Sequence, residues 1–164
     1  MLYNGIACVD MDSWGLGNKG ELLFHDKKDM EFFKEMTWNH NIVMGRKTFE
    51  SLPGILDNRI HYVLTNNISY KSPFGESRRV KIVHNRSEID KIDERAWVIG
   101  GADIFRIFMN SIGNFYVTKI KSDGRVADRF LEISLHDFRL KDEIPLDSPD
   151  HPGSVICWYT RKNW

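Results

Sequence analysis

Short apolar runs recur along the chain at residues 6–9, 42–44, 60–64, 80–84, 96–99, 115–120, 138–140 and 155–160. They are rich in Val, Ile and aromatic residues, which suit a pleated and buried surface, so each predicts a strand. Between several of them the period changes. Within 26–38, Met30, Phe33 and Met36 recur at helical spacing and Phe32 broadens the stripe, which predicts an amphipathic helix with Asp29 in its first turn. Residues 49–52 predict a short helix that Pro53 stops, because proline cannot donate a backbone hydrogen bond. Residues 87–94 predict another, with Ser87 as N-cap and Ile89 and Ile92 facing inward. A last helix follows Gly100-Gly101 and runs to about Met109. Residues 10–20, 54–58 and 69–79 are polar or punctuated by glycine and proline and predict loops. Strands that alternate with helices predict a mostly parallel sheet in an α/β fold of three layers. The last two strands predict an antiparallel pair at its C-terminal edge, since Pro145, Pro149, Pro152 and Gly153 leave no helix between them.

Two junctions carry candidate chemistry. In Ile42-Val43-Met44-Gly45-Arg46-Lys47-Thr48-Phe49-Glu50-Ser51-Leu52-Pro53, a buried strand turns at glycine into a helix. Unpaired amides and the positive dipole end meet there, and Arg46 and Lys47 add full charges, which suits an anion; a turn with solvated basic residues is the plain alternative. In Ala96-Trp97-Val98-Ile99-Gly100-Gly101-Ala102-Asp103-Ile104-Phe105, a second buried strand reaches a glycine pair and another helix. Alone, that pattern is common. Two such turns at neighbouring strand ends could grip one dinucleotide from both sides. Neither turn carries G-x-G-x-x-G, so the usual Rossmann site is disfavoured there. On the sequence alone, Asp29 reads as a dipole-complementing or helix-capping acid, Thr118 as a β-branched packing residue, and Arg59, just before a strand, as a cation solvated or paired on the surface. The loop over 10–20, with Gly15, Gly17, Gly20 and a Trp14 expected to be exposed, suits either a cover that closes over a ligand or an ordinary connection.

Composition narrows the class further. With 164 residues, one domain spanning 1–164 is expected. Lys plus Arg and Asp plus Glu are 23 each, so no net field draws nucleic acid or an anionic membrane, and an anion site must come from local placement. No apolar run approaches the roughly 20 residues that span a bilayer, and Met1-Leu2-Tyr3-Asn4-Gly5 lacks the regions of a signal peptide. Cys8 and Cys157 sit in strand-like contexts that suggest no disulfide framework, so the cytoplasm is expected. The six histidines lack metal-ligand spacing, and no metal is expected.

The twelve residues around Gly45 resemble the signature segment of the dihydrofolate reductase family, and the likeness extends over most of the chain. It implies a dihydrofolate-reductase-like fold that reduces 7,8-dihydrofolate with NADPH, working as a monomer on a small-molecule substrate. Asp29 falls at the family's single pocket carboxylate and Thr118 at the threonine that braces it. On the substrate side the resemblance implies Ile6, Ala7, Cys8, Phe24, Met30, Phe33, Leu52, Leu56, Ile99 and Phe105. Arg59 falls where the family pairs the glutamyl α-carboxylate of folate. On the cofactor side it implies Ala7, Leu16, Gly45, Arg46, Lys47, Thr48, Leu64, Thr65, Asn66, Gly100, Gly101, Ala102, Asp103 and Ile104. It also implies a cis peptide between Gly100 and Gly101. The chain departs from the family in two ways. Leu23 and Phe24 replace the usual proline and tryptophan, and Phe24 has no N–H to help hold a water near the carboxylate. Asp103 stands where arginine is frequent.

Two alternatives belong to other classes. A related pterin or pyrimidinone reductase, such as the reductase domain of riboflavin synthesis, would not need the set of Asp29, Thr118 and Arg59. A non-catalytic module that binds nucleotide or folate finds its one motif-level hint in Phe24.

Overall fold

The computed structural model describes residues 3–92, 94–121, 124–134 and 136–163. An eight-stranded sheet dominates, in the order β10-β11-β8-β1-β7-β4-β5-β6. β1 (Tyr3–Asp10), β4 (Asn41–Gly45), β5 (Ile60–Leu64), β6 (Val80–Val83), β7 (Ala96–Gly100) and β8 (Ile112–Ile120) run parallel. β11 (Val155–Arg161) is antiparallel to β8, and β10 (Phe138–Pro145) forms the edge against β11. The expected antiparallel C-terminal hairpin is present, and β10 is longer than its short apolar run because its outer face is polar.

Strand alternation creates the layers. In β4, Ile42 and Met44 point to one face, where they meet Phe49 of α2 (Arg46–Ser51) and Phe32, Phe33 and Met36 of α1 (Lys27–Thr37). Val43 points to the other, with Ile89 of α3 (Arg86–Asp90) and Ile104, Phe105 and Phe108 of α4 (Ala102–Phe108). Helices therefore cover both faces, as parallel sheets require.

Five local expectations need correction. Residues 10–20 are not wholly a loop: β2 (Gly15–Asn18) pairs with β3 (Glu21–Leu22) and β9 (Arg129–Phe130) in a small second sheet. Trp14, expected to be exposed, packs on the core with the Lys119 ammonium 4.5 Å from its ring centroid. α2 starts at Arg46, three positions before the predicted start, because Gly45 is extended (φ −82°, ψ 166°) and serves as N-cap. α3 is capped by Asn85 rather than Ser87: Asn85 and Glu88 exchange the reciprocal bonds of a capping box. Met30, finally, is not part of the apolar seam of α1, being 55% exposed. Of the N-terminal stretch read for a signal peptide, Met1 and Leu2 lie outside the described residues; Tyr3 to Gly5 belong to β1.

Candidate active site

The catalytic candidates meet where β1, β8 and α1 converge. Parallel register sets Cys8 of β1 beside Thr118 of β8. The N-cap of α1 is Asp26, whose side chain accepts the Asp29 backbone N–H at 3.0 Å. Capping is thus done by Asp26, and the Asp29 carboxylate is released for other work. Asp29 is half-buried. Burial raises its pKa above the ordinary carboxylate value and the charge of Asp26 adds to that, while the Thr118 hydroxyl and Cys8 thiol work against the rise. Burial also pushes the Cys8 thiol well up, and Asp29 pushes it further. The Thr118 hydroxyl is 1% exposed and no described group stands in hydrogen-bonding geometry to it, although it lies near enough to influence Asp29.

The apolar candidates divide into two groups. Ile6 is buried on the Ile42–Phe49 side, and Phe33, Leu52, Leu56 and Ile99 are half-buried against the same cluster. Phe105 is different. It is 2% exposed, beneath Gly100, so it supports the wall from behind. Phe24 is 3% exposed among Leu23, Ile120, Leu146 and Ile156, with the His151 ring edge-on at 5.6 Å and the Arg125 guanidinium 5.0 Å from its centroid.

Arg59 contradicts the reading of a solvated cation. It is 5% exposed, donating from Nε to the Asp57 carbonyl at 2.8 Å and from Nη1 to Thr37 Oγ1 at 3.3 Å, with its guanidinium 5.5 Å from the Trp38 ring. No described carboxylate is within ion-pair distance of it. Burial, above all, lowers its pKa. A guanidinium held in place with no anion suits a carboxylate from outside.

His61 braces the same corner. Its Nε2 accepts the Leu56 N–H at 3.0 Å, so Nδ1 carries the proton and donates to the Arg79 carbonyl at 3.1 Å. It is fully buried, and burial lowers its pKa. The unfolded histidine takes a proton that the folded one refuses, so stability should fall as pH drops below about 6.5 and level off once the folded imidazole also protonates. Melting curves against pH check this. His61→Gln, which keeps an acceptor for Leu56, should flatten that slope; an unchanged slope would assign it to other groups.

The two glycine turns lie side by side. β4 and β7 are neighbours with Met44 in register with Gly100, and the Gly100–Gly101 peptide is cis, as expected. A Cβ built on Gly45 would stand 3.1 Å from Ile104 of the second turn, and one built on Gly101 would stand 3.5 Å from Thr48 Oγ1 of the first. Gly100, at φ +126°, is in a region that L side chains rarely adopt. A side chain at Gly45 would thus crowd Ile104, and one at Gly100 would be strained by its φ. Lys47 is exposed, whereas Arg46 is engaged by both Glu50 oxygens at 3.1 Å. Asp103 is likewise occupied by Arg106 at 2.9 Å. Thr65 and Asn66 follow β5, where the Thr65 carbonyl lies 2.9 Å from His84 Nδ1. Leu64 and Ala102 are half-buried and Leu16 is buried. An open depression lined by Pro145, Asp147, Ser148, Pro152 and Val155 touches this arrangement only through Ser148, whose hydroxyl donates to Asp26.

Asp26 and His61 were missed from the sequence. A capping acid just before an apolar helical stripe was a readable signal for Asp26. None existed for His61, whose role depends on partners that only the fold brings together.

The dihydrofolate reductase family profile matches residues 4–159. A dihydrofolate reductase of Heliothis virescens is 29% identical, over 92% of this chain and 90% of its own. One of Staphylococcus aureus is 26% identical, over 79% of this chain and 78% of its own. A solved dihydrofolate reductase from Enterococcus faecalis, complexed with NADP(H) and RAB-propyl, superposes with a TM-score of 0.83 at 27% identity, covering 99% of this chain and 97% of that one.

Proposed function

The chain belongs to the dihydrofolate reductase family, and we propose that Asp29, with Thr118, is the group that lets it protonate its substrate. The reaction is NADPH-dependent reduction of 7,8-dihydrofolate to 5,6,7,8-tetrahydrofolate. The observation that carries the residue assignment is the Asp29 carboxylate itself: half-buried, relieved of capping by Asp26, with its pKa raised mainly by burial.

The residues fit the cofactor. Two glycine turns on neighbouring strands, one where a Cβ at Gly45 would crowd Ile104 and one where Gly100 holds φ +126°, suit a flat, extended dinucleotide. Gly45, Thr48, Gly100, Gly101, Ala102 and Ile104 would hold its middle, with Ala7 and Leu16 toward the nicotinamide. Lys47, Thr65 and Asn66 would take the adenosine end, with Leu64 beside them. The cofactor supplies the hydride. Asp29 holds the pterin by hydrogen bonds and favours a proton at the ring nitrogen next to the carbon that is reduced. Thr118 and Cys8 orient the carboxylate. Ile6, Phe33, Leu52, Leu56 and Ile99 exclude water around the ring and benzoyl group, with Met30 at the exposed rim; Phe24 and Phe105 back this wall. Arg59 takes the glutamate tail. Asp103 stays with Arg106 and is given no part in binding the diphosphate.

The test is loss of the NADPH absorbance band that depends on added dihydrofolate. A pyrimidinone-specific reductase would respond only to its own substrate, and a non-catalytic module to neither. The same assay checks cofactor choice. Two charge-assisted bonds to the 2′-phosphate, each worth on the order of 1.5–3 kcal/mol, give roughly 100-fold preference for NADPH over NADH. Lys47→Ala should remove about half of that on a logarithmic scale; equal use of NADH by the unaltered protein would overturn the assignment.

As one domain acting as a monomer on small molecules, with no role in nucleic-acid or membrane binding, the protein suits the cytoplasm. The zero net charge supports this, and no described helix is long and apolar enough to cross a membrane.

A further inference from the structure

The Asp26 side chain is 1% exposed, and its two oxygens are tied to different parts of the fold. Oδ1 accepts the backbone N–H of Asp29 at 3.0 Å. Oδ2 receives Ser148 Oγ–H and His151 Nδ1–H, the latter at 2.7 Å, both from the loop between β10 and β11. Ser148 Oγ in turn accepts the His151 backbone N–H at 3.2 Å, so the loop is folded onto the carboxylate. The His151 ring also stands edge-on to Phe24. We propose that Asp26, Ser148 and His151 are positioning residues for the reduction: a tether from the C-terminal hairpin to the helical turn that carries Asp29. This rests on the assignment of Asp29 made above.

The tether acts in two ways. Mechanically, Asp29 can turn about the start of α1 only if Asp26 moves, and Asp26 is held from the far side of the loop. Electrically, a buried anion one turn away opposes ionisation of Asp29 and keeps its proton available to higher pH. Asp26 can stay ionised there because donors surround it. Burial alone would raise its pKa, but the bonds from Ser148, His151 and the Asp29 N–H outweigh that and hold it below the ordinary value. The groups that face Asp29 are Cys8 from β1, Thr118 from β8 and Asp26 from its own helix. Those that face Asp26 are Ser148, His151 and Asp29. On the Phe24 side the Arg125 guanidinium stands over the ring and donates to the Leu23 carbonyl at 2.7 Å.

Asp26→Asn keeps a capping acceptor and removes the charge. The fall of kcat with rising pH should then move to lower pH by about half a unit to one unit, with NADPH affinity unchanged. His151→Ala removes one of the two bonds that tie the loop to Asp26 and should lower kcat about 10-fold, with little change in KM, the scale expected when a reacting group is misplaced. His151→Asn places an amide N–H where Nδ1 was and should restore most of that loss. A lone structural role would lower the melting temperature and leave both the pH profile and the Asn rescue without effect on kcat. An unmoved profile in Asp26→Asn, or His151→Ala and His151→Asn alike in kcat, overturns the tether. If Asp26→Asn does not fold, the two His151 variants decide alone. Failure of the tether is distinct from failure of the Asp29 assignment, because the latter requires that Asp29→Asn itself be fully active.

Discussion

Asparagine in place of Asp29 should lower kcat for dihydrofolate by about 10²-fold or more near neutral pH, the usual scale of general acid assistance. Hydride transfer to the pterin needs a proton on the adjacent nitrogen. Asp29 is the acid that the fold sets against Cys8 and Thr118, with the Asp26 carboxylate one turn away. The substitution keeps the shape, and it keeps most of the hydrogen-bonding capacity. What it removes is the titrating group. Burial holds the pKa of Asp29 above the ordinary value, so in the native enzyme the protonated form persists to higher pH than a surface carboxyl would allow. Activity should therefore decline as pH rises through that raised value. In the variant the loss should shrink in acid, where solvent protonates the substrate directly. Cofactor affinity should barely change, since Asp29 is assigned to the pterin side. Steady-state kinetics from about pH 5 to about 8 bracket the titration; a wild-type rate throughout would refute the role and leave the fold and cofactor assignments standing.

The residues read correctly from sequence are those whose signal is local. A strand that ends in glycine before a helix is legible within ten positions, and both junctions, at Gly45 and at Gly100-Gly101, are where the pattern predicts. Periodicity gave the layers as well, since alternation at Ile42, Val43 and Met44 dictates two opposed faces. What stayed hidden depends on contacts between distant segments. Glycine-rich residues 10–20 look like a loop because β2 is extended only by pairing with β3 and, across more than a hundred residues, with β9. Arg59 looked like a surface cation because the residues that enclose it, Thr37 and Trp38, come from the end of α1. Met30 matched the helical stripe by spacing yet faces outward, since the sheet beneath α1 is met by Phe33 and Met36. The position of Asp29 could be assigned from sequence only through resemblance. Its freedom from capping became visible once Asp26 was seen to hold the helix start.

The buried guanidinium of Arg59 leads to an expectation in which binding and stability change in opposite directions. Arg59→Met should raise KM for dihydrofolate about 100-fold, because a forked pair with a carboxylate combines two charge-assisted bonds of on the order of 1.5–3 kcal/mol each, part of which is offset by desolvation. The benzoyl-glutamate end is remote from the reacting ring, so kcat should hold. Arg59→Lys should recover only part of the loss, as an ammonium lacks the planar fork. Without substrate the sign reverses. Arg59 is 5% exposed and no described carboxylate is within ion-pair distance, so folding desolvates a cation mainly against the Asp57 carbonyl, the Thr37 hydroxyl and the Trp38 ring, with the Asp57 charge farther off. Methionine fills the space of the arginine stem without that cost. Thr37 Oγ keeps its bond to the Phe33 carbonyl at 2.8 Å, so the substitution strands no buried hydroxyl. The melting temperature of the ligand-free variant should equal or exceed that of the unaltered protein, while dihydrofolate should stabilise it far less. A variant that melts lower yet binds dihydrofolate as before would make Arg59 a structural residue, with the glutamate tail held elsewhere.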